Sequence, residues 1–291
     1  MNYMNNNYSV LMSVYRKENA AFFALAIESM LRQSFPPTQF VLVCDGPLTP
    51  ELDEVIERVT IAAPSLFTIV RLPENKGLGI ALQEGLSVCE NELVARMDSD
   101  DIALPLRMEH QLSAMSADPE LDVVGGQIAE FTGSPKNIQG YRIVPLSPED
   151  IFSGAVSRNP MNHMTVLFRK SSVLASGGYQ DMKSFEDYYL WARMLMAGCK
   201  LTNLPEVCIL ARVTELQARR GGRAYFRQTV CLERALRNCG LIGNSAYYKN
   251  LIIRYCGTVL LSDTLRQKVY QRHLRQTDLP EISWAGSLSS L

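Results

Sequence analysis

The sequence contains no CxxC pair, and its seven cysteines, Cys44, Cys89, Cys199, Cys208, Cys231, Cys239 and Cys256, are scattered and odd in number. Neither a disulfide framework nor a zinc site fits that pattern, so a reduced, cytoplasmic setting is expected. No window approaches the roughly 18 apolar residues of a membrane span. The opening MNYMNNNYSVLMSVYRK also lacks a basic segment followed by a long apolar one. The chain is therefore expected to be neither secreted nor transmembrane. Neither sign of charge is in excess: 29 Lys and Arg stand against 30 Asp and Glu, a formal net charge of -1. That balance implies no general attraction to nucleic acid, and no nucleic-acid partner is expected. Repeats and low-complexity tracts are missing too, which removes arrays.

What is present is an ordinary globular composition, 291 residues of which 47% are hydrophobic, enough for one large α/β domain or a domain with an appendage. Tyr8 to Val14, Gln39 to Cys44, Phe67 to Leu72 and Glu92 to Met97 read as strands. Ala20 to Gln33, Pro50 to Ile61 and Gly79 to Cys89 read as helices between them. Strands alternating with helices in this way predict a mostly parallel sheet with right-handed crossovers, flanked by helices. Ligands of such sheets bind beyond the carboxyl ends of the strands.

Several polar clusters fall at those ends. The fourth strand runs into VARMDSDDIALP, with Asp98, Asp100 and Asp101 directly behind an apolar run. Carboxylates at i and i+2 leaving a strand can both reach one hard cation, Mg²⁺ or Mn²⁺, which keeps positions open for phosphate oxygens. The same acids also read as a polar turn capping the next helix before Pro105. The first strand ends in Val14-Tyr15-Arg16, the second in CDGP, and a later turn reads ENKGLG. Asp45 could accept a hydrogen bond from a base imide, Gly46 lets backbone approach a ligand, and Lys76 could neutralise phosphate. Each is separately a common turn former. Their convergence on one sheet edge is what points to a site.

Taken in order, SVLMSVYRKE, QFVLVCDGP, PENKGLGIALQEGL, ARMDSDD and GGYQDMKSFEDYYLWARMLMAG resemble the inverting glycosyltransferases of family 2, which have the GT-A fold, over about residues 8 to 220. The resemblance implies that Tyr15, Glu18 and Asp45 line the nucleotide pocket, with Asp45 facing uracil. It implies that Asp98 and Asp100 match the DxD that holds ribose, divalent metal and diphosphate, and that Asp187 matches the catalytic base. The donor would be a nucleotide sugar, UDP-hexose or UDP-N-acetylhexosamine, and the acceptor a glycan, lipid-linked in surface polysaccharide synthesis. Inverting transfer needs one base on the face opposite the leaving diphosphate, which separates the work of Asp187 from that of Asp98 and Asp100. Glu186 and Asp187 also read as acids at a helix N-terminus, with Ser184 ahead of them as a cap.

Contacts to the donor sugar are expected around Arg96, His163 and Glu186, although His163 also reads as a satisfied histidine at a strand start. Gly177 and Gly178 read as the turn that brings an acceptor loop back toward Asp187. Many relatives carry an Arg-x-His after the base helix that completes the metal site. Here LARVTELQARRGG has Thr214 at that place, a neutral hydroxyl, and Arg212, Arg219 and Arg220 read either as cations for the diphosphate or as a solvated basic stretch.

From Gly222 the alternation stops. Residues 1–221 are expected to form the catalytic domain and 222–291 a basic helical extension, with Arg223, Arg227, Arg234, Arg237, Lys249 and Arg254 offset chiefly by Glu233 and Asp263. A basic amphipathic surface suits the anionic inner face of the cytoplasmic membrane, which is the preferred reading, and the competing one packs Leu251 to Leu261 on the core or on a second subunit. Two other functions share parts of this pattern. A nucleotidyltransferase would follow its first strand with a glycine-rich phosphate loop, and SVYRKENAAFF has no glycine. A silent nucleotide-sugar binder would have no use for a base.

Overall fold

The computed structural model describes residues 7–213 and 221–261. Its first half runs β1 (Tyr8–Val14), α1 (Ala20–Leu31), β2 (Gln39–Cys44), α2 (Pro50–Ala62), β3 (Phe67–Arg71), α3 (Leu78–Ser87) and β4 (Leu93–Met97). Local chemistry starts the first two helices. The Asn19 side chain accepts hydrogen bonds from the backbone of Ala21 and Phe22, and Thr49 accepts from Leu52 ahead of Pro50.

The second half continues with β5 (Ile102–Ala103), α4 (Arg107–Ala117), β6 (Leu121–Phe131), β7 (Ile138–Arg142), α5 (Pro148–Gly154), β8 (Leu167–Arg169), α6 (Lys170–Ala175), α7 (Glu186–Met196) and β9 (Lys200–Arg212). Two helices follow, α8 (Gly222–Asn238) and α9 (Asn244–Tyr255).

All the strands join one sheet in the order β3-β2-β1-β4-β8-β6-β9-β5, with β7 beside β6. The β3-β2-β1-β4 half is parallel, in keeping with strands such as QFVLVC that are buried along their whole length. Beyond it the sheet is mixed: β8 runs antiparallel to both β4 and β6, and β9 is parallel to β6. The register pairs Val14 with Cys44 and Met12 with Met97, so the carboxyl ends of β1, β2 and β4 form one edge.

Alternation along the strands divides the core. Leu11, Val41 and Val43 face α3 and α7 with Leu82, Leu86 and Trp191, while Val10, Met12, Phe40 and Leu42 face α1, α2 and α4 with Phe23, Ile27 and Met108. The last two helices share the first of these layers. Leu232, Leu236, Leu241, Ile242 and Tyr247 are buried in the same cluster as Trp191. Each such side chain contributes about 1.5–3 kcal/mol, so α8 and α9 are fastened to the α/β body.

The charge balance of these helices differs from a solvated basic tail. Glu233 is fully buried, and its Oε1 lies 2.7 Å from Arg254 Nε. Arg254 therefore faces inward, toward a buried carboxylate, and is not one of the free cations of the extension. Asp263 lies outside the described residues.

Candidate active site

The edge formed by β1, β2 and β4 carries the expected cluster. The chain leaving β1 turns at once, Glu18 N donating to Tyr15 O at 3.0 Å, which returns Glu18 over the edge. Glu18 faces Asp98 and Asp100: burial first, then these two charges, push its carboxyl up to about 7. Asp100 rises to about 6 through burial and Asp98, and the buried Asp101 is pushed well above the ordinary range by burial and both neighbours. Glu18, Asp100 and Asp101 rise together because burial and neighbouring negative charge both disfavour their ionised forms.

The turn after β2 is tied to the turn before α3. Asp45 accepts backbone hydrogen bonds from Lys76 at 2.7 Å and Gly77 at 3.0 Å, one on each carboxylate oxygen, and Asn75 Nδ2 donates to Asp45 O. A base imide would be a further donor to a carboxylate already engaged twice. Gly46 has φ +85, and a Cβ there would stand 2.7 Å from Asn75 N, so this crossing requires glycine. The Lys76 side chain is exposed.

Arg96 connects this edge to the next element. It is 2% exposed, and its Nη1 lies 2.6 Å from Asp98 Oδ1. Burial acts against its charge, and the fields of Asp98 and Glu186 outweigh that effect. Glu186, at the start of α7, is buried, and its carboxyl is pushed up to about 7 by burial and by Asp187. Asp187 is half-buried. Its Oδ2 accepts from Asn159 Nδ2 at 2.6 Å and its Oδ1 from the Tyr188 N–H at 2.7 Å. Burial lifts its carboxyl above the ordinary value, and these two donors only limit the rise.

Two capping expectations are corrected. Ser184 does not cap α7: its side chain donates to Gln228 Oε1 of α8, and it is the one non-glycine with positive φ, +69, among the described residues. Asp101 does not cap the following helix either; its Oδ1 accepts from Arg212 N at 2.8 Å and ties the motif to β9. The Arg212 guanidinium lies 3.6 Å from the Phe22 ring centroid and 4.6 Å from that of Phe131, with Nε donating to Asp100 O. Thr214, Arg219 and Arg220 lie outside the described residues.

His163 is buried, with Nε2 2.9 Å from Tyr179 Oη and its ring edge-on to Trp191. Burial holds its imidazole well below the usual value, so it stays neutral. A sugar could use Nε2 only by displacing Tyr179. Gly177 and Gly178 do form a left-handed turn, at φ +88 and +63, and Arg193 donates to the carbonyls of Ser176 and Gly178.

Three residues that sequence reasoning passed over bear on the site. Asn159 sits in NPMN, which reads as a plain turn. Gln83 accepts from Tyr179 N and anchors that turn to α3. Arg107, buried with no carboxylate partner among the described residues, donates to the carbonyls of Arg96 and Val166 behind the site, and burial brings its guanidinium down to about 10.

Among the described residues no three His, Cys, Asp or Glu side chains converge as a ready-made metal site. The donor set nonetheless fits a hard divalent cation: Asp98 and Asp100 offer carboxylate oxygens whose mutual repulsion a cation would relieve. Asp98 shares its charge with Arg96, which leaves Asp100 as the less committed oxygen donor.

The sequence matches the family described as Glycosyl transferase family 2 over residues 9–176. It is 39% identical over 245 residues to the amylovoran biosynthesis glycosyltransferase AmsE of Erwinia amylovora, covering 83% of this chain and 91% of that one. It is 31% identical over 272 residues to the UDP-Gal:alpha-D-GlcNAc-diphosphoundecaprenol beta-1,3-galactosyltransferase of Escherichia coli, covering 92% and 97%. Among solved structures, S. aureus TarS 1-349 in complex with UDP-GlcNAc superposes with TM-score 0.62 at 16% identity, covering 92% of this chain and 76% of that one. The mannosyltransferase PcManGT of Pyrobaculum calidifontis, in complex with GDP-Man and Mn2+, gives 0.59 at 16%, covering 90% and 72%. At such identity the structures establish a shared GT-A fold.

Proposed function

The chain belongs to glycosyl transferase family 2, and we propose that it transfers a hexose or N-acetylhexosamine from a UDP donor, with inversion, to a lipid-linked glycan acceptor in the synthesis of a surface polysaccharide. The observation that carries this reading is the pairing of two acid groups across one buried arginine, Asp98 at the sheet edge on one side and Glu186-Asp187 at the start of α7 on the other. The first suits a diphosphate and the second a base.

In this reading Tyr15, Glu18 and Asp45 line the nucleotide, Asp45 bracing the turn that carries Lys76 toward phosphate. Asp98 and Asp100 would hold a divalent cation, which when bound offsets negative charge on the departing diphosphate. Asp187 takes the proton of the acceptor hydroxyl as that oxygen attacks the anomeric carbon from the face opposite the nucleotide. Arg96 holds the Asp98 carboxylate close, at 2.6 Å. The hydrogen bonds from Asn159 and Tyr188 favour the carboxylate of Asp187 and fix its direction.

The names of the relatives support the acceptor class: one acts on a diphosphoundecaprenol-linked sugar and one serves amylovoran synthesis. The helices α8 and α9 would rest on the inner face of the cytoplasmic membrane. Tyr248 and Ile252, one turn apart, are 60% and 65% exposed, and Ile253 and Leu260 are exposed as well. Arg223, Arg227, Arg234 and Lys249 are exposed on the same two helices. Each cation near an anionic leaflet contributes about 1 kcal/mol. No helix among the described residues is long and apolar enough to cross a membrane.

The test is donor-dependent release of UDP into a glycosylated lipid acceptor by the wild type and by Asp187→Asn. Transfer lost in the variant with UDP binding retained is the expected result. A variant that still transfers at the wild-type rate removes Asp187 from the role of base.

A further inference from the structure

Asp187 lies on α7, yet one of its oxygens is held from outside its own helix, by Asn159. Asn159 ends a short segment after α5, and that segment is itself held from elsewhere. Asn250 Nδ2 donates to Val156 O at 2.8 Å, an Arg254 Nη2 donates to Ser157 O at 3.1 Å, and Tyr188 Oη donates to Ala155 O at 2.7 Å. Glu233, with no exposed surface, gathers the first two: its carboxylate lies 3.1 Å from Asn250 Nδ2 and 2.7 Å from Arg254 Nε. On the other flank of Asp187, Gln228 of α8 holds Ser184 in its left-handed conformation.

We propose that Glu233, Asn250 and Arg254 are positioning residues for transfer, the α8–α9 pair fixing the segment that ends in Asn159 so that Asn159 aims Asp187 at the acceptor hydroxyl. The inference rests on the reading of Asp187 as the base. Apolar side chains at 233 and 250 would fill this interface at lower electrostatic cost, since a buried ion pair adds little net stability. What the polar cluster adds is one defined arrangement: two carbonyls are fixed in place by donors that are themselves fixed by a buried carboxylate. A base displaced by about 1 Å loses on the order of 100-fold in rate, so a rigid mount has a direct catalytic value. The same helices expose Tyr248 and Ile252 on their outer side, so the element that holds the base is also the one with an outward apolar face.

The test is a double-mutant cycle on the full chain between Asn159→Ala and Asn250→Ala. It reads kcat and donor KM in transfer from a UDP-sugar, with UDP affinity by calorimetry. We expect each single variant to lose about tenfold or more in kcat with UDP affinity and donor KM within about twofold of wild type, because the donor edge is not touched. The double variant should be no slower than the worse single, since both act through one contact. Losses that multiply mean independent roles and overturn the proposal, as does wild-type kcat in Asn250→Ala. Should Asn250→Ala fail to fold, Arg254→Lys takes its place: it keeps a cation beside Glu233 and loses the reach to Ser157 O. A wild type that binds UDP but transfers no sugar refutes the transferase reading and this inference with it. A transferring wild type with an unimpaired Asn250→Ala refutes only the inference.

Discussion

Arg96 Nη1 and Asp98 Oδ1 lie 2.6 Å apart, and the arginine is 2% exposed while the aspartate side chain is 30% exposed. A buried cation is thus spent on an acid that remains open toward the sheet edge. Replacing Arg96 by Met leaves Asp98 and Glu186 without that cation. We expect Arg96→Met to destabilise the fold by roughly 2–4 kcal/mol in urea denaturation, near the range for removing one partner of a buried pair. UDP affinity should weaken with it. An Arg96→Met protein as stable as wild type and with the same affinity would show that the pair organises nothing.

Among the described residues Asp98 is the acid paired with Arg96 and no arginine is paired with the Asp100 carboxylate, so Asp100 is the freer donor for a cation. Calorimetry of UDP with and without Mn²⁺ should show metal-enhanced binding in the wild type that Asp100→Ala lowers by tenfold or more, about 1.4 kcal/mol. Equal binding with and without metal in both proteins would place the diphosphate elsewhere.

Glu186 sets the sign of one pH effect. Its carboxyl is raised from 4.5 to about 7 in the folded chain, so between these values the folded state binds more protons than the unfolded one. Its contribution is then full below the unfolded pKa and is lost as pH rises through 7. Glu186→Gln, which stays neutral, should therefore be more stable than wild type at pH 8, by on the order of 1–3 kcal/mol, and nearly equal to it at pH 5. Thermal melts of the metal-free proteins at the two pH values check this. A difference of the opposite sign, or one independent of pH, would mean that Glu186 is ionised in the fold.

The outward face of α9 predicts vesicle binding. Ile252→Asp with Ile253→Asp changes exposed side chains, so stability should shift by no more than about 0.5 kcal/mol for each. Co-sedimentation with phosphatidylglycerol vesicles should fall sharply in this variant, and should fall with salt in the wild type. Binding to anionic vesicles unchanged by the two aspartates would remove this face from any membrane contact.

Much of the architecture could be read from short stretches of chain. Alternating strands and helices announce the parallel half of the sheet, and parallel strands bring their carboxyl ends to one edge, so Asp45, Asp98 and Asp100 were assignable to a common edge from the pattern, while Glu18 was assigned there only by the resemblance. The acids at the head of α7 were legible as well, since an amphipathic helix follows them, but the proposed base role of Asp187 came only from the resemblance to the family. Other features had no local signature. The short β8 lying between β4 and β6, the capture of Asp101 by Arg212, and His163 closed against Tyr179 all depend on which distant segment comes to pack alongside. The contacts of Asn250 with Val156 and of Arg254 with Ser157 span 94 and 97 residues. By composition Arg254 and Lys249 are alike, two cations on one helix. They differ because Arg254 faces the buried carboxylate of Glu233 and Lys249 faces water, and only packing between helices sets that difference.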